Sequence, residues 1–436
     1  MSTPPESRDD IVAADRQHLW HPYTPMGEWI ASGRPLVIDR AEGARLHDLD
    51  GRSYLDGNSS WWVALLGHNH PRLVRALRDQ AGRMSHVALA GITHAPAALL
   101  ARELCAVAPA GLTRAFFSDD GSTAVEVAAK MAVQYFRQTG RPAKQRLVAL
   151  EGAYHGDTLG ASSLGGVEAF RQAFAALLFD VVRVPSPAGG GADWAAAFAA
   201  LERAIAGAAD EIAAIFVEPM VQGAAGMRMY DASWLQHLRA LCTAHDVLLV
   251  ADEVFTGYGR TGPMWACDHA GISPDLLCTA KGFSGGMLPM AATLATEAVF
   301  AGFLGGRQHA FLHGHSFTGN PLGAAVAREV LAVYRDEQVL ERASAKALRL
   351  GALVERMAGH IGREHCRHLG MIAAFDLGAA GYLGDIGWRV YDAALARGAY
   401  LRPLGDTVYL APPLTIDDAD LERLCNILHD AVVASL

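Results

Sequence analysis

Nothing in the 436 residues resembles a block of Lys or Arg, and the formal net charge is −9. A chain of that balance lacks the basic footprint of a nucleic-acid binder. No apolar run approaches the roughly 20 residues that a membrane-spanning helix needs. Cysteine is sparse: Cys105, Cys242, Cys267, Cys278, Cys366 and Cys425 include no CxxC pair, so no metal site is read from them. Several lie in apolar runs, where a reduced, buried thiol is the ordinary state. The opening MSTPPESRDD is polar and acidic, without the basic-then-apolar order of a signal peptide. A reducing, cytoplasmic location is the expectation. Internal repeats are also missing, as are low-complexity tracts beyond short alanine-rich segments.

What remains is ample for a large core. Hydrophobic residues make up 51%, and the length predicts one large domain with at least one smaller one. The segment 247–281 organises the reading. Val247, Leu248, Leu249 and Val250 run uninterrupted, as a parallel strand buried on both faces does, and end in Asp252 and Glu253. A second apolar run, 276–280, delivers Lys281 and stops at Gly282. Neighbouring strands that end in a carboxylate and a lysine put both charges where an open α/β sheet binds its ligand. The pair suits pyridoxal phosphate chemistry, in which a lysine amine condenses with an aldehyde while a carboxylate keeps a pyridine nitrogen protonated. A structural ion pair between Asp252 and Lys281 is the plain alternative.

Taken in order, residues 1 to about 10 read as disordered. HLWHPYTPM at 18–26 breaks any periodicity, and two short strand-like runs, 35–39 and 44–48, precede an Asp50–Gly51 hairpin turn. Trp61 and Trp62 lie in a Gly/Ser/Asn-rich stretch outside any regular element; tryptophan is more often core than ligand contact. Helical spacing covers 71–84 and 94–108. After a strand at 114–117, residues 119–122 form a turn into a long helix, so Ser122 is either a phosphate ligand or an ordinary N-cap. Strands follow at 146–150, 181–184 and 212–217, with helices at 194–205 and 232–245. Tyr154, His155 and Asp157 follow the 146–150 strand between glycines, where an aromatic suits stacking on a flat ring. This alternation predicts an α/β fold with a mostly parallel sheet and helices on both faces. Beyond Lys281 come another strand, a loop holding Gly314, Ser316 and Thr318, and a helix from Pro321 to about 360. The C-terminal α+β portion has strands at 371–375, 400–402 and 407–410 and a final helix at 417–434. Arg402 ends a strand, where a solvated arginine is ordinary.

Together these pieces resemble class III aminotransferases, over nearly the whole chain and in the family's order: Asp252 with Lys281, the GST turn at Gly121, the YHG at Tyr154 and the loop before Asn320. The resemblance implies a pyridoxal phosphate enzyme of fold type I. Its large domain has a sheet of the seven-stranded type flanked by helices, with a smaller α+β domain beside it. The boundaries expected are 1–60 for an N-terminal part of the small domain, 61–325 for the large domain and 326–436 for the rest of the small one. HLWHPYT, SSWW, GSTAVEVAAKMA, VQGAAGMRMY and LRPLG resemble those members that move an amino group from S-adenosylmethionine to 8-amino-7-oxononanoate in biotin biosynthesis.

By that resemblance Lys281 holds the cofactor and moves the proton, Asp252 meets the pyridine nitrogen, Gly121 and Ser122 bind the phosphate, and Tyr154 stacks on the ring. Ser316 would reach the phosphate of the partner subunit's cofactor in a homodimer, and Gly314 on the same loop is a substrate-binding position. Asp157 lies near the substrate amine. Tyr23, Trp61 and Trp62 form an aromatic pocket, Arg402 meets the substrate carboxylate, and Arg260 and Tyr409 are further positions at the site. Two residues depart from the family pattern: Phe255 stands where many members have a glutamine that bonds the cofactor's phenolic oxygen, and Ser316 replaces the commoner threonine. A broad ω-amino acid aminotransferase on the same site, or a non-catalytic dimeric binding protein, are the competing readings. The residues do not choose between S-adenosylmethionine and lysine as amino donor.

Overall fold

The computed structural model describes residues 7–31, 35–188 and 191–436. Its centre is a seven-stranded sheet ordered Leu112–Ser118, Ala291–Thr296, Leu276–Thr279, Leu248–Asp252, Ile212–Val217, Arg146–Leu150 and Val182–Val184. Six strands run one way. Ala291–Thr296 is antiparallel to both neighbours, because only the short turn after Lys281 separates it from Leu276–Thr279. The runs without polar alternation are explained by burial on two faces. Leu248 and Val250 pack toward Val125, Ala128 and Phe136 of the helix Gly121–Gln138, while Leu249 packs toward Trp234, Leu235 and Leu238 of Ala232–Ala244.

Smaller sheets flank this core. Ile38–Glu42, Arg45–Asp48, Ser53–Asp56 and Ala399–Tyr400 form one, with Gly51 at φ +81° in the hairpin turn. Cys366–Leu369, Ile372–Asp376 and Thr407–Leu410 form another. The strand expected at 400–402 in the C-terminal portion forms at Ala399–Tyr400 and stops short of Arg402. It pairs in parallel with Ser53–Asp56, so segments from both halves of the chain share a sheet.

Three local expectations change. The expected disorder over 1–10 falls partly on residues outside those described, but Ser7 caps a helix, Arg8–His18, through a reciprocal capping box with Asp10. The helix expected over 321–360 is two, Pro321–Asp336 and Val339–Ile361, divided where Gln338 turns left-handed at φ +50°. Asp120, not Ser122, caps Gly121–Gln138, accepting from the Thr123 N–H at 2.9 Å. That leaves the Ser122 side chain for other work.

Candidate active site

The cleft lies at the carboxyl ends of the central strands, as the topology of an open α/β sheet dictates. About 460 Å³ in volume, it is lined among others by Trp62, Gly121, Ser122, Tyr154, Asp252, Phe255 and Lys281. Asp252 pairs in register with Cys278, three residues before Lys281, so adjacent strands deliver carboxylate and amine to one cavity.

Asp252 is 4% exposed. Its carboxylate accepts from His155 Nδ1 at 2.7 Å and from the Val254 N–H at 3.0 Å, two donors that fix its orientation. Glu218 ends the strand Ile212–Val217 and accepts from the N–H groups of Tyr154 and Gly223, both at 2.9 Å. Burial pushes its carboxyl up to about 7, against the opposing pull of His155.

Lys281 sits just past its strand with φ +42°. Its Nζ lies 4.6 Å from the Trp62 ring and 5.9 Å from that of Phe255. Burial pulls the amine down to about 8, although Asp252, Glu218 and Asp157 all pull the other way. Phe255 leans on Trp62 with centroids 4.5 Å apart, and its ring fits because residue 223 is glycine: a Cβ there would come within 2.9 Å of it.

Across the cleft the helix Gly121–Gln138 begins. Its first internal bond runs from the Ala124 N–H to Asp120 O, so the Gly121 and Ser122 N–H groups precede the ladder and suit an anion. Close packing shapes this end. A Cβ on Gly121 would stand 2.8 Å from Val254, and one on Gly156, at φ +123°, would collide with Ser122 Oγ. Ser122 Oγ in turn accepts from the Asp157 N–H at 3.1 Å.

Aromatics and one cation make the outer wall. Tyr154 donates to Asp157 Oδ2 at 2.8 Å, and Tyr23 donates to the same oxygen. Burial raises the ionisation of both phenols well above the usual tyrosine range. Phe170 is edge-on to Tyr23, Tyr154 and Tyr382. Arg402 donates to Tyr23 O at 3.0 Å, with its guanidinium carbon 5.3 Å from the centroids of both Trp61 and Trp388.

The tryptophans stand on an unusual backbone. Ser59, Ser60, Trp61 and Trp62 have φ of +50°, +44°, +65° and +75°, a single left-handed turn made without glycine. Such a conformation costs about 1–2 kcal/mol per residue, roughly 4–8 kcal/mol for the turn. Side-chain bonds hold it. Ser59 Oγ donates to Ala411 O at 2.7 Å, Ser60 Oγ to Asp56 at 2.9 Å, and Trp62 Nε1 to Tyr409 Oη at 2.9 Å.

The structure therefore brings Lys281, Asp252, Tyr154, Gly121, Ser122 and Trp62 around one cavity, with Tyr23, Trp61, Asp157 and Arg402 on its outer side and Tyr409 behind Trp62. It does not bring Arg260, Gly314 or Ser316 there. Arg260 is fully buried and points at Met371 O, Pro412 O and Ser59 Oγ. Gly314 and Ser316 do not line the cavity but lie on the loop before Asn320, whose His315 meets the lining residue Asp119 at 3.3 Å. Glu218 escaped the sequence reading although it repeats the Asp252 signal, an acid at the carboxyl end of an apolar strand. Phe170 and Tyr382 had no comparable signal. The cradle fits pyridoxal phosphate: an amine facing apolar rings, a doubly held carboxylate and open helix N–H groups converge where added Cβ atoms would intrude.

Comparison with known proteins agrees in family and fold. The family model described as Aminotransferase class-III matches residues 30–432. A protein of Synechococcus elongatus named adenosylmethionine-8-amino-7-oxononanoate aminotransferase is 46% identical over 95% of this chain and 98% of its own length. One of the same name from Nitratidesulfovibrio vulgaris is 44% identical over 97% of this chain and 82% of its own. The crystal structure of the Methanocaldococcus jannaschii enzyme of that name has a TM-score of 0.93 at 34% identity, covering 98% and 99% of the two chains. An amine transaminase with bound pyridoxal phosphate from an uncultivated Pseudomonas species has a TM-score of 0.90 at 31% identity, covering 96% and 99%.

Proposed function

This chain belongs to the class III aminotransferases, pyridoxal phosphate enzymes of fold type I, and from that premise we propose that it transfers the amino group of S-adenosylmethionine to 8-amino-7-oxononanoate, giving 7,8-diaminononanoate for biotin. The observation that carries the reading is the joint placement of Trp61, Tyr23 and Arg402 at the outer side of the lysine cleft. A long keto acid with a terminal carboxylate needs an apolar path with a cation at its far end. A sulfonium donor is served by the same aromatic faces.

The cofactor, when bound, supplies an electron-accepting ring that lets an amino group change carriers. The residues of this chain do the rest. The N–H groups of Gly121 and Ser122 would hold the phosphate, and Asp252, fixed by His155, would offer its carboxylate to the ring nitrogen. Tyr154 would flank the ring, with Asp157 beside it for the cationic substrate amine. Lys281 Nζ accepts a proton from the substrate carbon and returns it; at about 8, its basicity suits that exchange near neutral pH. Trp62 and Phe255 keep water from the amine, and Tyr409 fixes the Trp62 ring.

We take the active form as a homodimer. Ser316 and Gly314 do not line their own cleft, and Leu312 and Phe317 beside them are 91% and 61% exposed, which supports a loop that serves the neighbouring copy's phosphate. The sheet shared by Ser53–Asp56 and Ala399–Tyr400 supports 1–60 and 326–436 as one smaller domain against 61–325. All six cysteines are unpaired, in keeping with the cytoplasm, and no helix among the described residues is long and apolar enough to cross a membrane.

A single-turnover spectrum tests the reading. S-adenosylmethionine alone should bleach the visible absorbance of the bound cofactor, and 8-amino-7-oxononanoate should restore it. If only lysine or another amine bleaches it, the donor is reassigned; if the keto acid does not restore it, a broader ω-amino acid aminotransferase replaces this reading.

A further inference from the structure

Arg402 donates to Tyr23 O at 3.0 Å and meets no carboxylate among the described residues. What flanks it is aromatic. Its guanidinium carbon lies 5.3 Å from the ring centroids of both Trp61 and Trp388, within the distance at which a cation is drawn to a π system. Trp61 belongs to the left-handed turn, but Trp388 comes from the helix Ile386–Ala396 and does not line the lysine cleft. Glycine at 387 lets it come so near. A Cβ there would collide with Gly405 O and stand 2.7 Å from Pro403 Cβ, so the start of the helix closes onto the loop that follows Arg402. One turn along, Tyr391 lies edge-on to Trp388 with centroids 5.5 Å apart, and edge-on to Tyr400, on the strand that leads into Arg402, at 5.8 Å. Trp388 is thus braced on both sides against the segment that carries the arginine.

We propose that Trp388 is a positioning residue for Arg402, and through it a determinant of how tightly the terminal carboxylate of the keto acid is held. The inference rests on the function proposed above. A guanidinium on a long, rotatable stem gives up rotamer freedom when it grips an anion, and groups that restrict it beforehand remove part of that cost from binding. Trp61 and Trp388 restrict it without occupying its N–H groups. Donors therefore remain for a planar contact with a carboxylate. Because Trp388 stands outside the cavity that holds Lys281, its influence falls on affinity for the acid and not on the proton transfer.

Single-turnover reaction of the holoenzyme in its pyridoxamine form with 8-amino-7-oxononanoate provides the test, comparing wild type, Trp388→Ala and Trp388→Phe. Trp388→Ala should raise the half-saturating concentration of the keto acid by about three- to thirtyfold, the scale of a cation–ring contact. Its limiting rate, and both constants of the half-reaction with the amino donor, should stay within about twofold of wild type on that same scale. Trp388→Phe keeps a ring and should recover most of the affinity. A smaller rise in Trp388→Ala, a limiting rate that falls as far as affinity does, or a Trp388→Phe no better than Trp388→Ala would each overturn the proposal. Trp388→Leu takes the place of the alanine variant if that one does not fold. A spectral titration with nonanoate, which has the carboxylate and chain length of the acid but no keto group, separates the inference from the reaction. Should wild type fail to use the keto acid, a nonanoate Kd raised to the same extent in Trp388→Ala upholds the role of Trp388 while the reaction is reassigned, and an unchanged Kd ends both.

Discussion

His155 Nδ1 and Asp252 Oδ2 lie 2.7 Å apart, 3% and 4% exposed, in a part of the molecule where a carboxylate has few other donors. Replacing the imidazole by a side chain that cannot donate leaves Asp252 with the Val254 N–H and an unsatisfied lone pair. His155→Leu should therefore cost about 1–3 kcal/mol of stability, measured by urea denaturation of the holoenzyme, together with a tenfold or greater fall in turnover. An unchanged denaturation midpoint would mean that the bond does not orient the carboxylate.

Lys281→Ala should abolish transamination while leaving the fold intact. Circular dichroism and thermal melting check the fold, and turnover at the wild-type rate would remove the lysine from the mechanism.

The same residue sets a pH dependence. Its amine titrates near 8 in the folded chain against an ordinary 10.5, so between those values the unfolded chain binds the extra proton. Stability from this group is fully present above about 10.5 and is lost as pH falls through about 8. The cofactor-free protein should lose up to about 3 kcal/mol relative to Lys281→Met over that window, read from denaturation curves of the two proteins at pH 8 and above.

Gly156→Ala meets two obstacles together. Its φ of +123° disfavours a side chain, and the added Cβ would collide with Ser122 Oγ. Displacing Ser122 disturbs the helix N-terminus proposed to hold the phosphate. The cofactor dissociation constant should rise at least tenfold, measured by absorbance after dialysis, with most secondary structure retained.

Arg402→Ala should raise the KM for the keto acid by ten- to a hundredfold, the scale of a lost charge-assisted bond. The half-reaction with the amino donor should change far less. Equal losses in both halves would refute a role at the substrate carboxylate.

The strand ends were legible because burial on two faces writes itself as unbroken apolar runs. That made Asp252 and Lys281 visible as neighbours in the sequence alone. Gly121 was legible from its place between strand and helix. The pairing of 399–400 with Ser53–Asp56 was not, since two residues carry no periodicity and the partner lies more than 300 positions away. The left-handed turn was hidden for a different reason: serine and tryptophan do not favour positive φ, and the groups that hold them there include Ala411, Tyr409 and Arg260, all distant in sequence. Arg260 shows the same limit. The resemblance placed it at the site, but its three acceptors are uncharged oxygens fixed by tertiary folding.

Ser53–Asp56 and Ala399–Tyr400 lie side by side, and each runs within a few residues into part of the outer wall, one into the tryptophan turn and the other into Arg402. The wall proposed to gauge a substrate's length is thus mounted on two adjoining rails more than 300 positions apart in the chain. A chimera that exchanges one rail alone would mismatch that wall, whereas exchanging 53–62 together with 399–402 would carry its tryptophans and arginine across together.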